Sequence, residues 1–156
     1  MQSYRIIIVF GAIIIGFLVF MLVSSRLTHN DSAVQLSEKF ITAYKNHDVS
    51  TLRDILDESQ ATVITDTENR IVSIDFKPFH FGGAFSQMPE ISHNYNELML
   101  RLKEISGVSP SIFTTGEYKS VSYNQLVTFY FRSDANGKMK LIYIGFVKDG
   151  SPNVDR

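Results

Sequence analysis

No cysteine occurs anywhere in the 156 residues. That absence excludes a disulfide scaffold, a cysteine-ligated zinc or iron–sulfur site and a cysteine nucleophile. An excess of positive charge is missing too: 15 basic side chains face 16 acidic ones, for a formal net charge of -1. General nucleic-acid binders are normally basic, so nucleic acid is not an expected partner. The chain has no P-loop, no dinucleotide fingerprint and no Gly-x-Ser-x-Gly elbow. Its four histidines, His29, His47, His80 and His93, include no pair four residues apart and no HExxH frame. They read as isolated surface or loop residues, and neither a metal nor a cofactor is expected. There is no internal repeat, and the length suits one domain of ordinary size.

The mean hydropathy of +0.01 conceals a long apolar run. Ile6 to Val23 holds 18 residues without a polar or charged side chain. As a helix it would cover roughly 27 Å at about 1.5 Å per residue, close to the thickness of the bilayer hydrocarbon. A cleaved signal peptide is the competing reading, with Val23-Ser24-Ser25 as the cleavage site. Signal h-regions run about 7–15 residues, and the excess length favours an uncleaved anchor. Residues 1–5 then form an N-terminal tail carrying Arg5, and 24–30 a short polar linker. The positive tail places the N-terminus in the cytoplasm and the following domain on the periplasmic or extracellular side. Ala12 and Gly16 form a small-xxx-small pair able to seat a second transmembrane helix. Arg5 and Arg26 precede Leu27, so the remainder keeps 13 basic and 16 acidic residues and is mildly acidic.

Residues 31–150 read as one folded domain and 151–156 as a polar tail. Ser32 and Gln35 fit a capping box, and Ala33, Leu36, Phe40, Ala43 and Tyr44 recur at helical spacing. After a break at His47-Asp48, a short helix over Ser50–Asp57 buries Leu52, Ile55 and Leu56, with Arg53 and Asp57 one turn apart outside. Ala61–Thr65 and Ile71–Phe76 flank a polar turn and read as a hairpin, with Val72, Ile74 and Phe76 on its apolar face. Lys77–Pro89 looks irregular. A third helix starts near Asn94, places Tyr95, Leu98, Leu102 and Ile105 on one face, pairs Glu97 with Arg101 outside, and ends at Gly107. Three strands are expected thereafter, over Ser111–Tyr118, Ser122–Arg132 and Lys138–Lys148. The last two are apolar on nearly both faces, which suggests a central position or a sheet covered on both sides.

The order α-α-β-β-α-β-β-β predicts an α+β domain with an antiparallel sheet. AVQLSEKFITAYKNHDVSTLRDILDE at Ala33–Glu58 is similar to the opening helix pair of the NTF2-like (cystatin-like, SnoaL-like) superfamily. NGKMKLIYIGF at Asn136–Phe146 resembles that superfamily's closing strand, with Met139 where an aromatic is usual. The resemblance implies a cone in which a curved sheet wraps around helices. An anchor followed by a cone is the layout of VirB8-like components of secretion machines. A ferredoxin-like domain is the alternative fold.

Catalytic members of the superfamily work inside the cone, where Tyr44 and Asp75 stand nearest by position. Tyr44 reads more simply as a core aromatic whose hydroxyl reaches the rim, and Asp75 as solvated beside Ser73, so neither receives a catalytic role. One constellation stands out. Phe76, Phe79, Phe81 and Phe85 crowd into ten residues around Pro78, His80 and Gly82-Gly83. Either this stretch folds back and completes the core, or its aromatics are presented to a partner or gate a pocket. The expected function is that of an interaction or assembly module at the bilayer, with a membrane-protein partner or a second copy. The alternative is a pocket for a small apolar ligand, with Tyr44 in its lining.

Overall fold

The computed structural model describes residues 31–80 and 87–146. The expected membrane segment, with Ala12 and Gly16, lies outside the described residues, as do the linker and the C-terminal tail. Among the described residues, no helix is long and apolar enough to cross a membrane. From Ser32 onward these residues belong to one compact unit.

Helix α1 (Ser32–Lys45) forms because Ala33, Val34, Ser37, Phe40, Ala43 and Tyr44 recur at three- and four-residue spacing and bury one stripe. Ser32 lies within the helix and its hydroxyl points at Met139 Sδ, 3.8 Å away, so it does not act as the expected capping-box residue. The chain leaves α1 through a Schellman turn. His47 N–H donates to Tyr44 O, Asp48 N–H donates to Ala43 O, and His47 takes the left-handed position at φ 52°. Asp48 then caps α2 (Val49–Ile55), accepting the Thr51 N–H and hydroxyl at 3.0 and 2.6 Å. Because α2 ends at Ile55, Asp57 lies beyond the helix and pairs with Arg132 at 3.0 Å, not with Arg53.

Strands β1 (Ala61–Thr65) and β2 (Ile71–Phe76) form the expected hairpin. Asp66 ties its turn by accepting the N–H groups of Glu68 and Arg70, both at 2.9 Å. One facing expectation fails at this hairpin. Ile64 pairs with Ser73 but Thr65 pairs with Ile71, so Val72 sits in a bulge. The bulge turns Ile71 inward and leaves Val72 42% exposed.

The stretch expected to be irregular carries the two-residue pair β3 (Phe79–His80) and β4 (Gln87–Met88). It is followed by β5 (Ile91–Asn94), which joins the first hairpin in the order β1-β2-β5. Asn94 then caps α3 (Tyr95–Glu104) through the Asn96 N–H. Leu98, Leu102 and Ile105 are buried as expected. Arg101 reaches Glu104 at 3.1 Å in place of the expected contact with Glu97.

Four strands, not three, follow: β6 (Ser111–Thr115), β7 (Tyr118–Tyr123), β8 (Val127–Ser133) and β9 (Met139–Phe146). They pair antiparallel in the order β6-β7-β8-β9. Turns at Gly116-Glu117 and at Asn124-Gln125 divide what reads as two longer strands. Strand β9 is last in its ladder, not central. Leu141, Ile142, Tyr143 and Ile144 are nevertheless all buried, because a bulge opposite Tyr130/Phe131 shifts the facing and other elements cover both sides. The β9 backbone is satisfied from elsewhere. Asp57 N–H donates to Leu141 O at 2.9 Å, and His93 Nε2 lies 2.6 Å from Ile144 O. The architecture is α+β, with helices and antiparallel sheets around one core.

Candidate functional site

A file of rings fills the space between the helices and the four-stranded sheet. Phe129 of β8 meets Phe40 edge-on at 5.7 Å, and Phe40 stacks on Tyr44 at 5.6 Å. Tyr44 packs on Tyr95 at 5.0 Å, and Tyr95 stacks on His47 at 4.4 Å. The file arises because α1 repeats its aromatics four residues apart while β8 puts Phe129 and Phe131 on one face. Phe40, Tyr44, Phe129, Phe131, Leu141 and Ile144 have no solvent-accessible surface.

Tyr44, the candidate pocket residue, therefore lies wholly within the core. Its hydroxyl does not reach the rim and makes no hydrogen bond. Burial, and then the neighbouring Tyr95, push its ionisation far above the usual tyrosine range. The two other buried phenols are satisfied, and Tyr143 OH donates to Pro89 O at 2.9 Å. Ser37 Oγ donates to Val34 O at 2.7 Å, and Tyr123 OH lies 2.8 Å from the same Oγ as its donor. Asp75 stays outside the file and accepts the Ser92 hydroxyl at 2.5 Å.

The aromatic stretch after β2 divides. Phe76 is buried against His93 at 5.8 Å and Tyr143 at 5.6 Å. Phe79, 8% exposed, packs on Tyr118, Tyr130 and Tyr143 at 5.8, 5.5 and 5.2 Å. It covers the sheet face opposite the ring file, where Ser120, Tyr130 and Tyr143 stand abreast. His80 is exposed. Phe81 and Phe85 lie outside the described residues, so the structure assembles Phe76 and Phe79 and says nothing of the other two.

The described histidines, His47, His80 and His93, do not converge, and His29 lies outside the described residues. His47 Nδ1 accepts the Ile71 N–H at 3.0 Å and fastens the α1–α2 corner to β2. His93, expected at the surface or in a loop, is fully buried on β5, packed on Phe76 and Phe146. The alternation of the four-residue β5 is too short to be read from sequence. Among the described residues, no three His, Asp or Glu side chains gather as a metal site would require.

Two shallow grooves of about 210 Å³ each flank the end of α2. One is lined by Arg53, Leu56, Glu58, Ala61, Thr62 and Val63; the other by Leu56, Asp57, Glu58, Ser59, Asp134 and Lys140. Both are smaller than the roughly 300–1,000 Å³ of typical ligand pockets; the first has a mixed lining and the second a more polar one.

The feature sequence reasoning missed is an edge. Strand β6 ends the four-stranded ladder, and its five residues, Ser-Ile-Phe-Thr-Thr, carry no charge. Phe113 at its middle is 60% exposed. Natural sheets usually blunt such an edge with lysine, proline or a bulge within the strand. The uncharged run was available as a signal, but the expected strand Ser111–Tyr118 had no assigned neighbour, and edges follow from strand order. Compared with family models, curated proteins and solved structures, the chain matches none.

Proposed function

We propose that the described domain is an NTF2-like cone, carried on a bilayer anchor at residues 6–23 with its C-terminal domain periplasmic or extracellular, and that it serves as an interaction module in a membrane complex. The carrying observation is the filled interior. The space that catalytic cones leave for substrate is occupied here by Phe40, Tyr44, Phe129 and Tyr95 packed ring on ring. A core packed ring on ring among the described residues directs function to the surface, and tethering to a bilayer raises the effective concentration of a membrane partner. Helices packed on antiparallel sheets support the cone reading.

One observation favours the pocket reading: the Tyr44 hydroxyl is buried without a partner, as a group awaiting a ligand would be. The rings around it leave that reading second. The test is amine-reactive crosslinking of the full chain in its membrane, followed by mild detergent extraction and light-scattering measurement of particle mass. A particle of defined stoichiometry heavier than one protomer is expected. A bare protomer after crosslinking would overturn the assembly reading.

A further inference from the structure

The β6 edge has a geometry that names its own partner. Thr115 and Tyr118 flank the two-residue turn Gly116-Glu117, so they form a hydrogen-bonded pair. Pairing alternates along an antiparallel ladder, so the Phe113–Ser120 and Ser111–Ser122 pairs are bonded as well. The N–H and C=O groups of Ser111, Phe113 and Thr115 therefore face β7. Those of Ile112 and Thr114 face away from it, toward the open side of the ladder. Two residues of outward-facing groups, spaced symmetrically about Phe113, are what a strand needs to pair antiparallel with a copy of itself.

We propose that two copies of this chain join edge to edge through β6, with a two-fold axis at Phe113. Ile112 of one copy then exchanges both backbone hydrogen bonds with Thr114 of the other, and the reverse, for four bonds in all. Phe113 faces Phe113 in the non-bonded pair between them, where the Cα atoms approach to about 4.5 Å and side chains meet most closely. Ser111 faces Thr115. No charge opposes a like charge anywhere along the strand, because β6 has none. The two four-stranded sheets become one of eight strands, and the most exposed phenylalanine of the described domain acquires a ring to pack against.

A second copy is favoured over an unrelated strand because register, charge and the exposed ring are all satisfied by the same five residues. A contact of two five-residue strands is small for a stable dimer in solution, and such contacts are weak on their own. Confinement of both copies to one membrane supplies the missing concentration, so the inference rests on the anchored reading above.

The absence of cysteine makes the test clean. Phe113→Cys in the full chain, in membranes under a mild oxidant, should give a disulfide-linked dimer, since the required Cα separation of 4.4–6.8 Å includes this pair. Leu100→Cys is the control: Leu100 is 58% exposed on α3 and reports random collision. A mixture of Ser111→Cys and Thr115→Cys chains should crosslink with each other, whereas neither should crosslink with itself. Adding Thr114→Pro to Phe113→Cys deletes an outward N–H that β7 does not use, which an edge strand tolerates. It should lower the yield several-fold toward the control. Phe113→Cys crosslinking no better than Leu100→Cys, or unaffected by Thr114→Pro, would overturn the pairing. Should the amine-reactive crosslinker still capture a heavier particle in that case, the β6 dimer falls while the assembly reading stands.

Discussion

Tyr44 and Tyr123 are both buried phenols, and their hydroxyls meet opposite fates. Tyr123 has a hydroxyl relay through Ser37 to the Val34 carbonyl, whereas the Tyr44 hydroxyl meets no hydrogen-bond partner. Hydrogen bonds contribute about 0.5–1.5 kcal/mol net, and an unsatisfied buried hydroxyl costs about 1–3 kcal/mol. Tyr44→Phe keeps the rings and removes the unsatisfied oxygen, so it is expected to raise stability by about 1 kcal/mol. Urea denaturation in detergent, at unchanged slope, measures the gain. A loss of similar size would show that the hydroxyl has a partner and would lift the pocket reading above its present second place. Helical spacing alone puts Tyr44 on the buried stripe of α1. The depth of its hydroxyl was not legible, because Tyr95 stands 51 positions away in sequence and only the docking of α3 brings it there.

Turns decided how much of the element order could be read. The β1–β2 hairpin was legible because Asp66 and Asn69 carry the chemistry that its turn uses: side-chain acceptance of turn amides, and a left-handed position at φ 59°. The β7–β8 turn was not. Asn124 and Gln125 both adopt left-handed conformations, at φ 51° and 60°, and glutamine gives no turn signal. With Tyr123 before them and Leu126-Val127 after, the apolar alternation runs straight through the turn and reads as one long strand. The left-handed region costs a non-glycine residue about 1–2 kcal/mol, partly offset in a glycine variant by the extra freedom of the unfolded chain. Gln125→Gly should therefore raise stability by about 0.5–1 kcal/mol, read as a shift in the denaturation midpoint. An unchanged or lowered midpoint would mean that the glutamine side chain supports the turn. The β6 edge was hidden by the same error. Read as three strands, the C-terminal third leaves no way to see that β6 ends the ladder.

At the scale of the whole molecule, charge and burial set a stability window with two separate limits. Asp48, Asp54, Asp57 and Asp66 all ionise below the usual carboxylate value of 3.8. For Asp57, burial pulls upward, and the Ser59 hydroxyl and N–H together with Arg132 outweigh it. For Asp54 the cause is Lys138, 2.6 Å away; for Asp48 it is Thr51; for Asp66 it is first the Arg70 N–H. A carboxylate whose folded value is lowered contributes stability above its unfolded value and loses it as pH falls through the folded one. The acid limb therefore opens below 3.8. Tyr44, Tyr123, Tyr130 and Tyr143 are shifted the other way, chiefly by burial. The unfolded chain ionises its tyrosines near 10.0 while the folded one holds them neutral, so stability falls as pH rises above that value. Urea midpoints in detergent should be level from about pH 5 to 9 and decline on both sides. Of the acidic contributions, Asp57–Arg132 is the best shielded, at 15% and 31% side-chain exposure, whereas Asp54–Lys138 is half exposed and screened by salt. Asp57→Asn is thus the decisive variant. It should be less stable than the parent at pH 7, and the difference should shrink as pH falls below 3.8, because protonation of the parent's carboxylate removes what the substitution removes. A difference that persists undiminished below that value would assign the loss to packing at the α2–β8 junction and not to charge.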